Sequence, residues 1–304
     1  MGVRIKSTAV SRAGDTHSVV THSGRAARRA LERAGVAPEQ VGVLINTGIH
    51  RDSNTVEPAV SALIQKAAGI GLEYAKGDPT TFSFDLMNGA TGVLNAVQVA
   101  GAILAAGGVE HVLVVAGDTH PSLTRAVADD EFPYATSGAA LLLEQTDEPE
   151  GFGPVHVTTT EGTPAVEAYV DTATMGTVGR GLMTVVREDG FEDRLLEAAL
   201  EVARAALAEA DLEDLSEVAL IASTPSAEFP LRLADALGIA RDSVCTPDLG
   251  DGDPHTASLP QAYDRAVGAG TLAEYTRVLF VAAGAGPSAA ASLYRLPALV
   301  GAPA

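Results

Sequence analysis

Residues 84–92 have the form of a nucleophile turn, a tight turn that lifts a reactive side chain at the start of a helix. The pattern predicts a short strand over residues 80–86 and a long apolar helix from about Val93. In such a frame, the free N–H groups and the positive dipole end of the helix favour an anion or an activated nucleophile. The residue at the apex is Ala90, which has no reactive group. The sequence therefore predicts a catalytic frame with an inert residue at its centre.

Several residues outside the apex have side chains that could do chemistry. Asn88 and Thr91 could orient a ligand, although forming the turn and capping the helix would explain both. Ser223, Asp253 and His255 are the residue types of the hydrolase triad, and Asp253 with His255 could act alone as an acid–base pair. The simpler interpretation is that Ser223 fills a strand end and Asp253 begins a turn.

The other histidines and the cysteine give weaker signals. Four histidines show no metal-ligand spacing, so neither a metal nor a cofactor is predicted: His17, His22, His111 and His156. His50 and His120 follow predicted strand ends and are interpreted as loop residues. The single cysteine, Cys245, excludes an intrachain disulfide framework, and we expect it to be buried and structural.

Composition limits the class of protein. With 304 residues and 46% apolar residues, the chain can bury a large core and is not generally disordered. The net charge of −19 argues against nucleic acid or an anionic membrane as partner. No secretory signal or bilayer-spanning run is evident, which predicts a soluble cytoplasmic protein. Arginines recur at helical spacing and favour a solvated helix face over a docking site: Arg25, Arg28, Arg29 and Arg33.

Helix–strand units repeat along the chain. The helix end and apolar strand within residues 30–47 are matched within residues 206–224, and those of residues 95–117 are matched within residues 261–284. The strands are nearly continuous apolar runs, as in sheets covered on both faces. The repeat predicts two similar α/β halves, residues 1–150 with the nucleophile turn and residues 151–304.

These features together resemble the thiolase superfamily, and within it β-ketoacyl-acyl-carrier-protein synthase III. The resemblance runs from about Ser23 onward. It rests on Phe-Asp-Leu before the turn, the segment 137–144, Ala-Ser-Leu-Pro at 257–260, and Gly-Ala-Gly at 284–286. It implies a five-layered αβαβα fold of two duplicated halves, usually dimeric.

The resemblance also implies which residues should be catalytic. In that family a cysteine takes the acyl group, and a histidine and an asparagine drive decarboxylation and condensation. Those positions correspond to Ala90, Ser223 and Asp253, so the whole set is replaced. The family's oxyanion hole uses backbone N–H groups, which here belong to Ala90 and Gly286. The family stacks coenzyme A on a tryptophan, which this chain lacks, so an acyl carrier protein is the favoured thioester donor.

Two functions remain open at this point. One is a non-elongating subunit that binds acyl thioesters and pairs, as a homodimer or heterodimer, with an active ketosynthase in specialised fatty-acid or polyketide biosynthesis. The other is an unusual acyltransferase, condensing enzyme or thioester hydrolase that uses Asp253, His255 or Ser223 with the backbone oxyanion hole.

Overall fold

The structure is a computed structural model that describes residues 2–12, 14–52, 59–71, 81–119, 134–163, 166–170, 173, 183–284 and 286–297. Its strands are β1 Gly2–Ser11, β2 Val41–Asn46, β3 Phe82–Asp85, β4 His111–Asp118, β5 Ser137–Thr146, β6 Gly151–Phe152, β7 His156–Thr159, β8 Val166–Val170, β9 Met183–Arg187, β10 Val218–Ala222, β11 Arg277–Gly284 and β12 Ser288–Arg295. Its helices are α1 Val19–Ala34, α2 Val60–Ala68, α3 Gly92–Ala106, α4 Phe191–Glu209, α5 Phe229–Leu237 and α6 Ser258–Ala269.

The strands of the N-terminal half lie in the order β3-β2-β4-β5-β1. Strand β2 is parallel to both neighbours, whereas β5 runs antiparallel to β4 and β1. All eight residues of β4 are buried, because helices cover both faces of the sheet.

The C-terminal half repeats this order. Strand β10 is parallel to β11, which is antiparallel to β12, and β12 pairs in turn with β7 and β6. A parallel bridge from Leu220 to Val244 stands where β3 stands in the first half. The predicted duplication is therefore confirmed. Strand β6 pairs with both β12 and β1, so it joins the sheet of the first half to the sheet of the second half.

Three apolar clusters define the layers. One joins α1 and α2 to the first sheet, and another joins α4 and α5 to the second. Between the sheets lies the third cluster, which contains α3 and α6. Helix, sheet, helix, sheet and helix follow one another, so the predicted five-layered αβαβα fold is confirmed.

Helix α3 is long and apolar enough, over Gly89–Ala106, to cross a membrane by composition. The sequence interpretation found no such run. Its buried residues, among them Val93, Leu94 and Leu104, instead pack between the two sheets. That position is consistent with a soluble protein, and a cytoplasmic location stays a prediction.

Some expectations for the chain before residue 40 were wrong. The resemblance was expected to begin at Ser23, but β1 already belongs to the first sheet, and α1 begins at Val19 behind an N-cap at Ser18. The arginines of α1 do lie on a largely exposed face, as predicted, and each also contacts its own chain: Arg25 binds Asp15, Arg28 the Ala67 carbonyl, Arg29 the Val10 carbonyl, and Arg33 Asp264. The division of the chain near residue 150 stays a prediction.

Candidate active site

The apex of the nucleophile turn lies buried at the start of α3. Ala90 is 4% exposed, and Gly89 before it adopts a φ of +52°, a conformation that favours glycine. The Thr91 hydroxyl donates to the Asn88 carbonyl at 2.6 Å and closes the turn. The Asn88 side chain donates to Asn95 at 2.8 Å. Both side chains therefore stabilise the turn, and their predicted ligand-binding role stays a prediction.

The backbone at the apex offers a hydrogen-bond donor. Ala90 lies directly before Thr91, the N-cap of α3, and no hydrogen bond of ordinary geometry from its N–H is found within the described residues. Gly284, at the end of β11, lies against the apex: a Cβ on it would be 3.5 Å from the Ala90 nitrogen. Gly286 follows in the turn to β12. A carbonyl oxygen placed at the apex would therefore meet a buried N–H donor.

Asp118, the last residue of β4, is fully buried and accepts five hydrogen bonds. Its Oδ1 accepts from the backbone N–H of Ile49 at 3.0 Å and of His50 at 2.7 Å. Its Oδ2 accepts from His255 Nδ1 at 3.1 Å and from the Thr256 N–H and hydroxyl at 3.1 and 2.5 Å. Burial raises the pKa of Asp118, but the His255 and His50 charges and these bonds outweigh it and hold the pKa well below its usual range. Asp118 is therefore a buried negative charge.

His255 is held in an unusual conformation beside this carboxylate. Its φ is +51°, a left-handed value that costs a residue other than glycine about 1–2 kcal/mol. Its ring stacks on Tyr134 at 4.5 Å between centroids, and His50 lies 5.4 Å away. Because Nδ1 donates to Asp118, the neutral ring carries its lone pair on Nε2, on the opposite side. The strain and the tether together fix which nitrogen can accept a proton.

Asp253 is a second buried carboxyl group with the opposite tendency. Its Oδ1 accepts from the Thr224 hydroxyl at 2.7 Å and from the His255 N–H at 2.8 Å. Burial raises its pKa, although the charge of His255 and the bond from Thr224 oppose the rise. Within the described residues, its Oδ2 has no hydrogen-bond partner. Burial thus shifts Asp253 toward the neutral form relative to an exposed aspartate, which weakens the repulsion of a developing negative charge expected from an aspartate here.

Ser223 is buried at the end of β10, but it is not connected to His255. Its Oγ accepts from the Ala283 N–H at 3.0 Å, and its N–H donates to the Val281 carbonyl at 3.0 Å. In the part of the chain that is described, no hydrogen bond joins Ser223 to either His255 or Asp253. The three candidate residues share a site without forming a serine–histidine–aspartate chain.

These groups meet around a cavity of about 30 Å³, enough for a water molecule. Its walls include Ala90, Tyr134, Ser223, Asp253, His255 and Gly284. The structure thus brings together the three predicted catalytic residues and the apex.

A metal ion could be considered for this site, because one ligand atom each from His50, Asp118 and His255 lies within 4.8 Å of the others. A carboxylate has about four lone-pair positions, and five protein donors already occupy those of Asp118. We therefore assign the cluster as a hydrogen-bonded pair and not as a metal centre.

Sequence reasoning missed Asp118, Tyr134 and Thr224. Asp118 left a usable signal, since it is a charged residue that ends an otherwise apolar strand. His50 was interpreted as a loop residue but is buried against the site, and His120 lies outside the described residues. Cys245 is buried and burial raises its pKa, which confirms the structural interpretation.

Comparisons with known proteins agree with this architecture. The family model described as 3-oxoacyl-[acyl-carrier-protein] synthase III matches residues 84–161. The β-ketoacyl-[acyl-carrier-protein] synthase III of Streptomyces lividans is 29% identical over 90% of this chain and 78% of its own length. The 3-oxoacyl-(acyl carrier protein) synthase III of Pseudomonas aeruginosa superposes with a TM-score of 0.81 at 17% identity, over 98% of this chain and 99% of that one. The priming β-ketosynthase of the R1128 polyketide pathway superposes with a TM-score of 0.76 at 22% identity, over 97% of this chain and 96% of that one.

The strand order and the five layers are those of the thiolase fold, which the solved synthase III structures share. In sequence and in fold, the chain is similar to the β-ketoacyl-acyl-carrier-protein synthase III proteins. The resemblance seen in the sequence is confirmed.

Proposed function

We propose that this protein binds acyl thioesters without elongating them. We further propose that it pairs with an active ketosynthase-like subunit, or with a second copy of itself, in specialised fatty-acid or polyketide biosynthesis. The observation that carries this proposal is Ala90 at the apex of the nucleophile turn. Covalent acyl transfer needs a nucleophile with a lowered pKa or an adjacent base, and alanine provides neither.

Thioester binding is supported by what remains of the site. The Ala90 N–H is available to a carbonyl oxygen, and the end of β11 at Gly284 lies beside it. Curated relatives of this chain are named for acyl-carrier-protein substrates. An acyl carrier protein is therefore our preferred donor, in the cytoplasm and with no cofactor bound to the protein.

Pairing with another subunit is supported by the edge of the first sheet. Strand β3 ends the strand order, so one of its edges is not hydrogen-bonded within the described sheet. Phe82 is 64% exposed there and packs against Phe84, with 5.4 Å between ring centroids. Met87, just beyond the strand, is 48% exposed. An unpaired edge with exposed apolar side chains is suited to a second chain.

The test is acylation and elongation by the full chain. We expect neither an acyl adduct by intact mass nor a ketoacyl product when acyl-CoA or acyl carrier protein is supplied with malonyl carrier protein. The matched variant Ala90→Cys should gain the acyl adduct, since the new thiol stands at a helix N-terminus. An adduct or a ketoacyl product from the unmodified chain would overturn the proposal.

A second candidate function is catalysis by the remaining polar residues: acyl transfer, condensation or hydrolysis through Asp253, His255 or Ser223. The contact between Asp118 and His255 favours this second function, because it holds Nδ1 and leaves Nε2 as the nitrogen that can accept a proton. Ser223 is the weakest of the three, since its hydroxyl oxygen already accepts from Ala283. Turnover unchanged in Asp253→Asn, His255→Ala and Ser223→Ala would remove this candidate.

A further inference from the structure

The Asp118–His255 pair has features that thioester binding alone does not require. A charged carboxylate is completely buried, which is unfavourable unless it is fully hydrogen-bonded. The histidine bound to it has a left-handed φ, and backbone strain of this kind collects at functional sites. Both features orient one imidazole ring at the wall of the cavity beside Ala90.

The cavity has room and polar partners for a water molecule. Alanine ends at Cβ, so the volume that a cysteine sulphur would occupy belongs to the cavity of about 30 Å³. A buried water needs two to four polar partners, and polar side chains among the residues that line this space are those of Tyr134, Ser223, Asp253 and His255. A water molecule can therefore occupy the cavity beside Ala90 and act as the nucleophile that the alanine side chain lacks.

We propose that the protein hydrolyses acyl thioesters, with a water molecule as nucleophile, His255 as general base and Asp118 as the residue that positions His255. This inference rests on the proposed thioester binding and gives it a chemical outcome. In this proposal Asp253, which lines the same cavity, forms a hydrogen bond to the water through Oδ2.

The step balances without any further reactant. His255 Nε2 takes a proton from water as the water oxygen bonds to the thioester carbonyl carbon. The negative charge on the carbonyl oxygen is stabilised by the Ala90 N–H. The carbon–sulphur bond then breaks, and the imidazolium returns its proton to the leaving thiolate. The products are a carboxylic acid and a free thiol.

The experiment measures binding and hydrolysis separately on the full chain. Thiol release is followed with acetyl, hexanoyl, decanoyl and palmitoyl thioesters of coenzyme A and of acyl carrier protein, in water enriched in ¹⁸O. Binding is measured by calorimetry with the corresponding S-alkyl coenzyme A thioethers, which cannot be hydrolysed. We expect one ¹⁸O in the released acid and no acyl adduct on the quenched protein.

The variants separate chemistry from folding. His255→Gln and Asp118→Asn should each lower kcat by roughly 100-fold or more while thioether binding changes little. The double variant should be no slower than His255→Gln, because Asp118 acts through the imidazole. His156→Gln is the matched control, since His156 lies on β7 and binds Glu209 at 2.7 Å. It should hydrolyse at the unmodified rate.

Each outcome decides between the two proposals. Thioether binding without thiol release would overturn hydrolysis and leave the binding proposal intact. Neither binding nor release across the panel would overturn both. Release that persists in His255→Gln, or release through an acyl adduct, would overturn the assignment of water and His255.

Discussion

Replacing Asp118 with asparagine tests whether this carboxylate holds the site together. Asparagine has the same shape, but it has one carbonyl oxygen and one NH₂ group. If the oxygen faces Ile49 and His50, those two bonds survive and the NH₂ group faces His255 and Thr256. The imidazole can change tautomer and the Thr256 hydroxyl can rotate. The Thr256 N–H cannot adapt, and it is left without an acceptor.

The magnitude follows from these losses. A buried unpaired N–H costs about 1–3 kcal/mol, and each hydrogen bond to a charged group contributes about 1.5–3 kcal/mol. Removing the buried charge offsets part of this loss of free energy, because the desolvation penalty of the carboxylate disappears. We expect Asp118→Asn to lower the free energy of unfolding by about 2–4 kcal/mol at neutral pH.

The effect should depend on pH in one direction. The pKa of Asp118 is lower in the folded state than in the unfolded state, so its stabilisation is complete above an unfolded pKa of about 4. That stabilisation is lost as the pH falls below this value toward the folded pKa. The difference between unmodified protein and variant should therefore shrink as the pH falls below about 4.

Urea unfolding followed by far-UV circular dichroism, at fixed protomer concentration, measures this difference. Asp15→Asn is the control: Asp15 is an exposed partner of Arg25, so its loss should change stability little. A loss below about 1 kcal/mol for Asp118→Asn, or a difference that does not vary between pH 7 and 3, would refute this account of the carboxylate.

Two further substitutions and one labelling experiment test other parts of the structure. Phe82→Lys should weaken self-association or pairing, because it places a charge on the exposed β3 edge; an unchanged mass by light scattering would contradict this. Cys245 should react with Ellman's reagent far more slowly in the native protein than in urea, since burial raises its pKa; equal rates would contradict its burial. Leu94→Ala should lower the free energy of unfolding by about 2–5 kcal/mol in urea, because Leu94 lies in the core between the sheets; a loss under about 1 kcal/mol would contradict that packing.

The fold could be predicted from the sequence because the apolar composition of its central strands indicates that they are buried. Strands β2, β4, β10 and β11 are covered on both faces and are apolar at nearly every position. Strand β1 escaped prediction because only four of its ten residues are buried and because Arg4 and Lys6 interrupt its pattern. A strand of this kind is recognised by its partners, not by its own residues.

The sequence predicted which residues lie at the site but not the hydrogen bonds between them. Position and residue type were enough to bring Ser223, Asp253 and His255 to the apex at Ala90. The bond from His255 to Asp118 spans 137 residues, and no local pattern encodes it. The hydroxyl of Ser223 could not be assigned either, because its partner is a backbone amide of β11. The catalytic roles of these residues stay predictions.

The hydrogen bond between Asp118 and His255 joins the two repeats, because Asp118 ends β4 and His255 precedes α6. A gene fragment that encoded either repeat alone would yield a charge without its counterpart, or a strained loop without its anchor. The pair therefore forms only when both repeats are folded against each other. Across descendants, positions 118 and 255 should change together, and each repeat alone should show no such dependence.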